Sequence, residues 1–163
     1  MSYEALFRIN LVFSFIAWGM VVRRYVWPAI RTRTSGEALK PLLILHSFRF
    51  VGLAFLIPGV VSSKLPAVFA QPAAYGDLLT AFLAVLAYLT LPGGLGIVLT
   101  WTFNLVGTAD LLNAFYIGIR EGLPRDPGLL GATYFIPTFY VPLLLIIHGL
   151  VFWLLLRGKP NVE

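Results

Sequence analysis

The stretch Leu45–Gly59, "LHSFRFVGLAFLIPG", places a histidine and an arginine three residues apart in an otherwise apolar run. The rest of the chain is similar, since 59% of its 163 residues are hydrophobic and only 12% are charged. Soluble domains are about 45–50% apolar and about 25% charged. A soluble fold could not cover this much apolar surface with so few charged residues. The composition predicts an integral membrane protein with a single domain over residues 1–163, in which His46 and Arg49 face the inside of a helical bundle.

Five segments are apolar over the length that a membrane-spanning helix needs, which is about 20 residues. They cover residues 5–22, 42–61, 76–91, 95–119 and 130–156. The third and fourth are separated only by "LPGG" at 91–94, which is typical of a tight turn; a four-span chain with one half-inserted segment stays an alternative. The sequence therefore predicts an all-α fold, a polytopic transmembrane helical bundle of five spans.

The segment before the third span, Ser62–Asp77, is expected to lie along the membrane interface as a short helix or an extended segment. Asp77 would then be the N-cap of the third helix, because aspartate is a preferred residue at that position.

The basic residues predict the orientation of the bundle. Seven lie on one side: Arg23, Arg24, Arg31, Arg33, Lys40, Arg157 and Lys159. Four lie on the other: Arg8, Lys64, Arg120 and Arg125. Because Lys and Arg accumulate in cytoplasmic loops, the N-terminus is predicted outside and the C-terminus in the cytoplasm.

The chain has two histidines, His46 and His148, on the second and fifth predicted spans. The helix rise places them about 7 and 13 Å from the cytoplasmic ends of their helices. Two histidines at matching depth suit a haem b whose iron they ligate from opposite faces. Gly52 and Gly149 would let the macrocycle approach, and Arg49 would meet a propionate, so the cofactor-binding and metal candidates are His46, His148 and Arg49.

Two other interpretations of the histidines remain open. Each ring can hydrogen-bond to a neighbouring helix and serve packing alone. A zinc site is the weaker alternative, because zinc takes three or four ligands and only His46, His148 and Asp110 are available here.

Arg49 and Asp110 are the other ionisable residues inside the spans. Their predicted depths differ by about 6 Å, which an arginine side chain can bridge, so an intramembrane polar pair is the simplest interpretation. A proton or ion path and a site for an anionic or quinone head group are the alternatives. The surrounding stretch "NLVGTADLLN" (Asn104–Asn113) carries small and polar residues that suit helix packing or a polar cavity.

Four stretches of the sequence carry a resemblance: "LHSFRFVGLAFL", "LPAVFAQPAAYGD", "NLVGTADLLNA" and "IPTFYVPLLLIIHGLVFWLLL". From His46 to about Leu156 the chain resembles small, uncharacterised bacterial integral membrane proteins with an LHxxR…LPxxFAxPAxxGD pattern. The resemblance implies a multi-pass protein of the bacterial inner (cytoplasmic) membrane and transfers no catalytic residue.

The functional hypotheses follow from this small set of polar residues. The leading one is a bis-histidine haem b electron carrier, or an accessory subunit of a membrane redox complex. The first alternative is a structural, assembly or partner-binding subunit; the second is a small permeation or lipid-handling protein with Arg49 and Asp110 along its path. Since the chain has almost no part outside the membrane and no nucleotide, zinc-protease or serine-hydrolase motif, we expect no catalysis of its own, contact with lipid, a protein partner or a homo-oligomer, and no nucleic-acid binding.

Overall fold

Five long helices make up the part of the chain that the computed structural model describes, residues 1–157. They are α1 (Tyr3–Ile30), α2 (Ser35–Leu56), α3 (Ala67–Thr90), α4 (Gly94–Arg120) and α5 (Ile136–Leu156). Each is long and apolar enough to cross a membrane, and residues 1–157 form no β-strand. The predicted all-α bundle of five transmembrane helices is therefore confirmed. Its orientation stays a prediction, and Lys159, one of the residues behind it, lies outside the described residues.

The first helix continues past the pair of arginines that were expected to end it. Arg23 and Arg24 lie in a π-helical turn, Val22–Val26, and the helix resumes as far as Ile30. Both side chains are exposed, so they can extend toward the membrane surface without ending the backbone hydrogen bonding. The helix thus continues eight residues beyond the end of the predicted span, from residue 22 to Ile30.

The third helix begins at Ala67, nine residues before the predicted start of its span. Pro66 occupies the N-cap, and the alanine-rich segment that follows favours helix. Pro72 removes one backbone hydrogen bond without ending the helix. The expectation that 62–77 forms an interfacial segment separate from the third span was therefore wrong, because 67–77 belong to α3, and Asp77 is not an N-cap but lies ten residues inside this helix.

Helices α2 to α5 pack on one another, and α1 is attached mainly through α5. α3 packs extensively on α2 and α4, and α5 packs on α2 and α4. α1 packs mainly on α5 and makes at most marginal contact with α4. A gap therefore separates α1 from α4.

Apolar side chains fill the two halves of the bundle on either side of a polar layer. On the side of the C-terminus, the core includes Leu39, Leu43, Ala84 and Val151. On the side of the N-terminus, it includes Phe55, Phe69 and other residues that surround the start of α3. The polar residues predicted from the sequence lie between these two clusters.

Candidate functional site

Arg49 is fully buried at the centre of the bundle and joins three helices. Its Nε donates to Asp77 Oδ1 on α3 at 2.7 Å, and its Nη2 donates to Asp110 Oδ2 on α4 at 2.5 Å. We call Arg49, Asp77 and Asp110 the charge cluster. Asp77 lies ten residues from the first residue of α3 and Asp110 ten from the last residue of α4. Both are thus about 15 Å along their helices from the same side, near the middle of a bilayer.

The charge cluster has one more negative group than positive groups when both carboxyls are ionised. One oxygen of each carboxylate accepts a hydrogen bond from Arg49. The other oxygens, Asp77 Oδ2 and Asp110 Oδ1, have no hydrogen-bond partner within residues 1–157. A net charge in a low-dielectric site is costly, and a proton bound by either carboxyl group would remove it.

His148 contacts Arg49 on the other side of the guanidinium, and Asn104 holds His148 in place. Arg49 Nη1 donates to the Gly107 carbonyl oxygen at 3.2 Å and lies 3.3 Å from His148 Nε2. Because a guanidinium only donates, we assign Nε2 as the acceptor. The proton is then on Nδ1, which donates to Asn104 Oδ1 at 2.7 Å. His148 is therefore neutral in this network and does not offset the negative charge of the cluster.

His46 lies beside this network without a hydrogen bond. Its side chain is fully buried, and neither ring nitrogen has a partner in the described part of the chain. Its ring centroid is 4.3 Å from that of His148 and 4.9 Å from that of Phe103. A buried polar group without a partner costs about 1–3 kcal/mol, so His46 is an unusual residue for packing alone.

The arrangement of the two histidines does not fit a bis-histidine haem. A porphyrin would have to lie between His46 and His148, whose ring centroids are 4.3 Å apart at an interplanar angle of 49°. Both ring nitrogens of His148 are already engaged, by Arg49 and by Asn104. The site would have to open, and His148 would have to lose both contacts. Haem ligation by His46 and His148, with Arg49 beside it, stays a prediction.

Three glycines make room for the charged groups. A β-carbon at Gly52 would meet the Asp77 carboxylate, and one at Gly76 would meet the Asp110 carboxylate. A β-carbon at Gly107 would lie 2.9 Å from Arg49 Nη1 and 2.7 Å from His148 Cε1. The close approach of α2, α3 and α4 around the cluster thus requires residues without a side chain.

A cavity of about 50 Å³ lies on the N-terminal side of the charge cluster. Asp77 and Asp110 line it, with side chains 9% and 12% exposed. Its other lining residues are almost all apolar and include Phe55, Phe69, Leu111, Ala114, Phe115 and Ile136. The surface of the cavity is therefore almost wholly apolar, with the charge cluster at one end.

A second, wider cavity of about 360 Å³ lies next to the first. The two have lining residues in common, among them Phe7 of α1 and Phe115 and Ile119 of α4, so both adjoin the gap between these helices. Glu4 and Arg8 line the outer part of the second cavity and form an ion pair at 2.5 Å. The bundle is thus open at its side and at its N-terminal end.

Sequence reasoning placed two members of the cluster and missed the third. The structure brings Arg49 and Asp110 together, and it brings His46 next to His148. It does not bring Asn113 into the site, because that side chain is exposed on the outer face of α4. Asp77 was missed because its segment was taken for an interfacial segment outside the third span. The alanine-rich run before it was the signal that could have placed Asp77 inside a helix.

The fold and the site define a small polytopic membrane protein with a buried charge cluster. The chain belongs to the family described as "Domain of unknown function (DUF8737)", whose model matches residues 6–156. No curated protein matches the chain, and no solved structure matches it.

Proposed function

We propose that this protein is a lipid-handling protein, which binds a small amphiphilic molecule that reaches it through the membrane. The observation that carries the proposal is the apolar cavity beside the charge cluster, which Asp77 and Asp110 line at one end. Ionisable residues deep in a bilayer are costly and generally serve function. A pair that served packing alone would need no cavity beside it.

The route to the cavity suits a molecule that moves sideways out of the lipid. It passes between α1 and α4, which barely touch. Its outer part carries both signs of charge, from Glu4, Arg8 and Arg125, as expected at the level of lipid head groups. An apolar tail can therefore stay in the gap while a polar head reaches the charge cluster.

The far side of the charge cluster favours binding over permeation. Phe103, Leu43 and Ile147 belong to the apolar cluster that packs there, and each is at most 1% exposed. A permeation path would have to cross this packed region. Proton or ion flux through liposomes that Asp110→Asn abolishes would favour permeation instead.

The proposed setting is the bacterial cytoplasmic membrane, with the N-terminus outside. The cavity would then open to the outer leaflet. A protein partner or a second copy would meet the lipid-facing surface of the bundle and leave the gap between α1 and α4 accessible.

Electron transfer through haem b is the second candidate function. It is favoured by His46, whose ring nitrogens are both free to take a ligand. An absorption spectrum of the purified protein, oxidised and then reduced with dithionite, tests it. A Soret band that His46→Ala and His148→Ala each remove would support haem, and a spectrum without one after haem supplementation would argue against it.

The proposed binding function is tested by filling the cavity. Ala114 lines it, whereas Ala109 lies on the exposed face of the same helix. Full-length wild type, Ala114→Phe and Ala109→Phe would be purified from membranes, and the small molecules that each retains would be extracted and identified by mass spectrometry. We expect wild type and Ala109→Phe to retain the same molecule, and Ala114→Phe to lose it at unchanged thermal stability. Equal retention in all three, or none in wild type, would contradict the proposal.

A further inference from the structure

The charge cluster has two carboxyl groups and one guanidinium, so its net charge depends on whether a carboxyl group is protonated. We infer that Asp77 and Asp110 together hold one proton, taken from the aqueous phase, at neutral pH. The pair is then a buried proton-binding site, and the cluster as a whole is neutral. The inference goes beyond the proposed function and does not depend on it, because it concerns the cluster without a ligand.

The first argument is the count of charges around the two carboxyl groups. Arg49 of α2 supplies one positive charge. His148 of α5 presents its Nε2 to the guanidinium as an acceptor and is therefore neutral. An imidazolium at His46 of α2 would need two acceptors, and neither of its ring nitrogens has a partner within residues 1–157. Neither histidine therefore offsets the second carboxylate.

The ionisable groups of the neighbouring helices do not offset it either. The hydroxyl of Tyr140 on α5 donates to the Leu45 carbonyl oxygen at 3.1 Å and so keeps its proton. On α1, Arg8 pairs with Glu4 near the surface, and its side chain is 72% exposed. The remaining way to neutrality is a proton on one of the two carboxyl groups.

The second argument is the space around the unbonded carboxyl oxygens. Asp77 Oδ2 lies against Gly52 and Asp110 Oδ1 against Gly76, each close to where a β-carbon of the glycine would be. Neither oxygen has a hydrogen-bond partner within residues 1–157. A hydrogen atom on a carboxyl oxygen needs far less room than a metal ion or an ammonium group. A proton is therefore the cation that this packing admits.

The third argument is the polarity of the adjoining cavity. Its surface is almost wholly apolar, and Phe55, Phe69 and Leu111 are among its lining residues. Such walls cannot solvate a net charge at the end of the cavity, and an unsolvated charge in a low-dielectric site is costly. One bound proton removes that charge. Two would leave the guanidinium of Arg49 unbalanced, so the pair holds one proton and titrates as a unit.

The test counts protonated aspartates by infrared spectroscopy. Full-length protein in phosphatidylcholine nanodiscs would carry a carbon-13 label on the side-chain carboxyl group of each of its three aspartates. A protonated carboxyl group has a C=O stretching band that an ionised one lacks, and the label shifts this band, which separates aspartate from glutamate and lipid. At neutral pH we expect wild type to show the shifted band at the intensity of one carboxyl group per chain.

Two variants distinguish charge balance from the burial of a single carboxyl group. In Asp77→Asn or Asp110→Asn, Arg49 balances the one carboxylate that remains, so each variant alone should lose the whole band. Asp126→Asn, at an exposed position, is the matched control and should keep it.

The wild-type spectrum can overturn the inference by itself, whether or not the variants fold. Absence of the shifted band, or an intensity of two carboxyl groups, would do so. A band that persists in either folded single variant would show that burial of one carboxyl group holds the proton without the charge balance of the pair, and it would overturn the inference as well. Each of these outcomes leaves the proposed binding function intact, since that function is tested by what Ala114→Phe retains.

Discussion

Arg49 is the residue through which the middle of the bundle is held together. One side chain contacts carboxylates on α3 and α4, a carbonyl oxygen of α4 and a histidine of α5. Its guanidinium is fully buried, so each of these contacts replaces water that it lost on folding. The stability of the protein should therefore depend on the balance of charge around Arg49 more than on any single contact.

Neutralising the carboxylates one at a time and together tests that balance. Asp77→Asn or Asp110→Asn removes the surplus negative charge and still leaves Arg49 one counter-ion and an amide oxygen as acceptor, so each should cost at most about 1 kcal/mol of unfolding free energy. The double variant leaves a bare buried guanidinium, and its loss should exceed the sum of the single losses by at least about 1 kcal/mol. Unfolding measured in detergent gives all three values. Strictly additive losses would show that the carboxylates act independently of each other.

Gly107 offers a second test at the scale of one residue. A methyl group there would crowd Arg49, His148 and Thr80, so Gly107→Ala should destabilise the protein by about 1–3 kcal/mol through overpacking. Gly149 is the matched control, because a β-carbon at that helical position meets nothing within 4 Å. Thermal unfolding of the two variants should separate them clearly; similar losses in both would contradict the close approach at Gly107.

At the scale of helices, α3 shows where a local pattern is insufficient. The segment 62–77 contains two prolines and reads as an interfacial segment before the strongly apolar run that follows. In the bundle its alanines, among them Ala70, Ala73 and Ala74, are buried against neighbouring helices. Small residues let helix backbones approach closely inside a membrane, and that packing extends α3 beyond the part that apolarity alone defines.

A single-cysteine scan over 67–77 tests this extension, since the natural chain contains no cysteine. Spin labels at Gln71 and Tyr75, which are exposed, should be mobile. Labels at Ala70 and Ala74, which are buried, should be immobilised and slow to react. Electron paramagnetic resonance would show this helical period, whereas an extended interfacial segment would give uniform mobility along its length.

The number and class of the helices were predictable because they depend on apolarity summed over about 20 residues. The residues of the site were only partly predictable from the sequence. Arg49 and Asp110 are conspicuous as charges inside apolar runs, but Asp77 is not, because it lies at the edge of the run that marked its helix. The pairing of His148 with Asn104, and the isolation of His46, depend on how α4 and α5 pack. The spacing of residues along the chain does not predict these contacts between helices.

At the scale of the whole molecule, the orientation in the membrane decides which leaflet reaches the cavity. The seven-to-four distribution of basic residues predicts a cytoplasmic C-terminus. A reporter fused after Glu163 that is active only in the cytoplasm should therefore be active, and one fused before Met1 should not. The opposite pair of results would make the cavity open to the inner leaflet.

The burial of Arg49 also has a consequence for how the protein is made. Arg49 is synthesised 28 residues before Asp77 and 61 residues before Asp110, its two counter-ions. A helix with an unpaired guanidinium is costly to release into lipid, so α2 is expected to stay beside the insertion machinery until α3 and α4 have emerged from the ribosome. The order of translation thus makes the second, third and fourth helices enter the bilayer as one assembled unit.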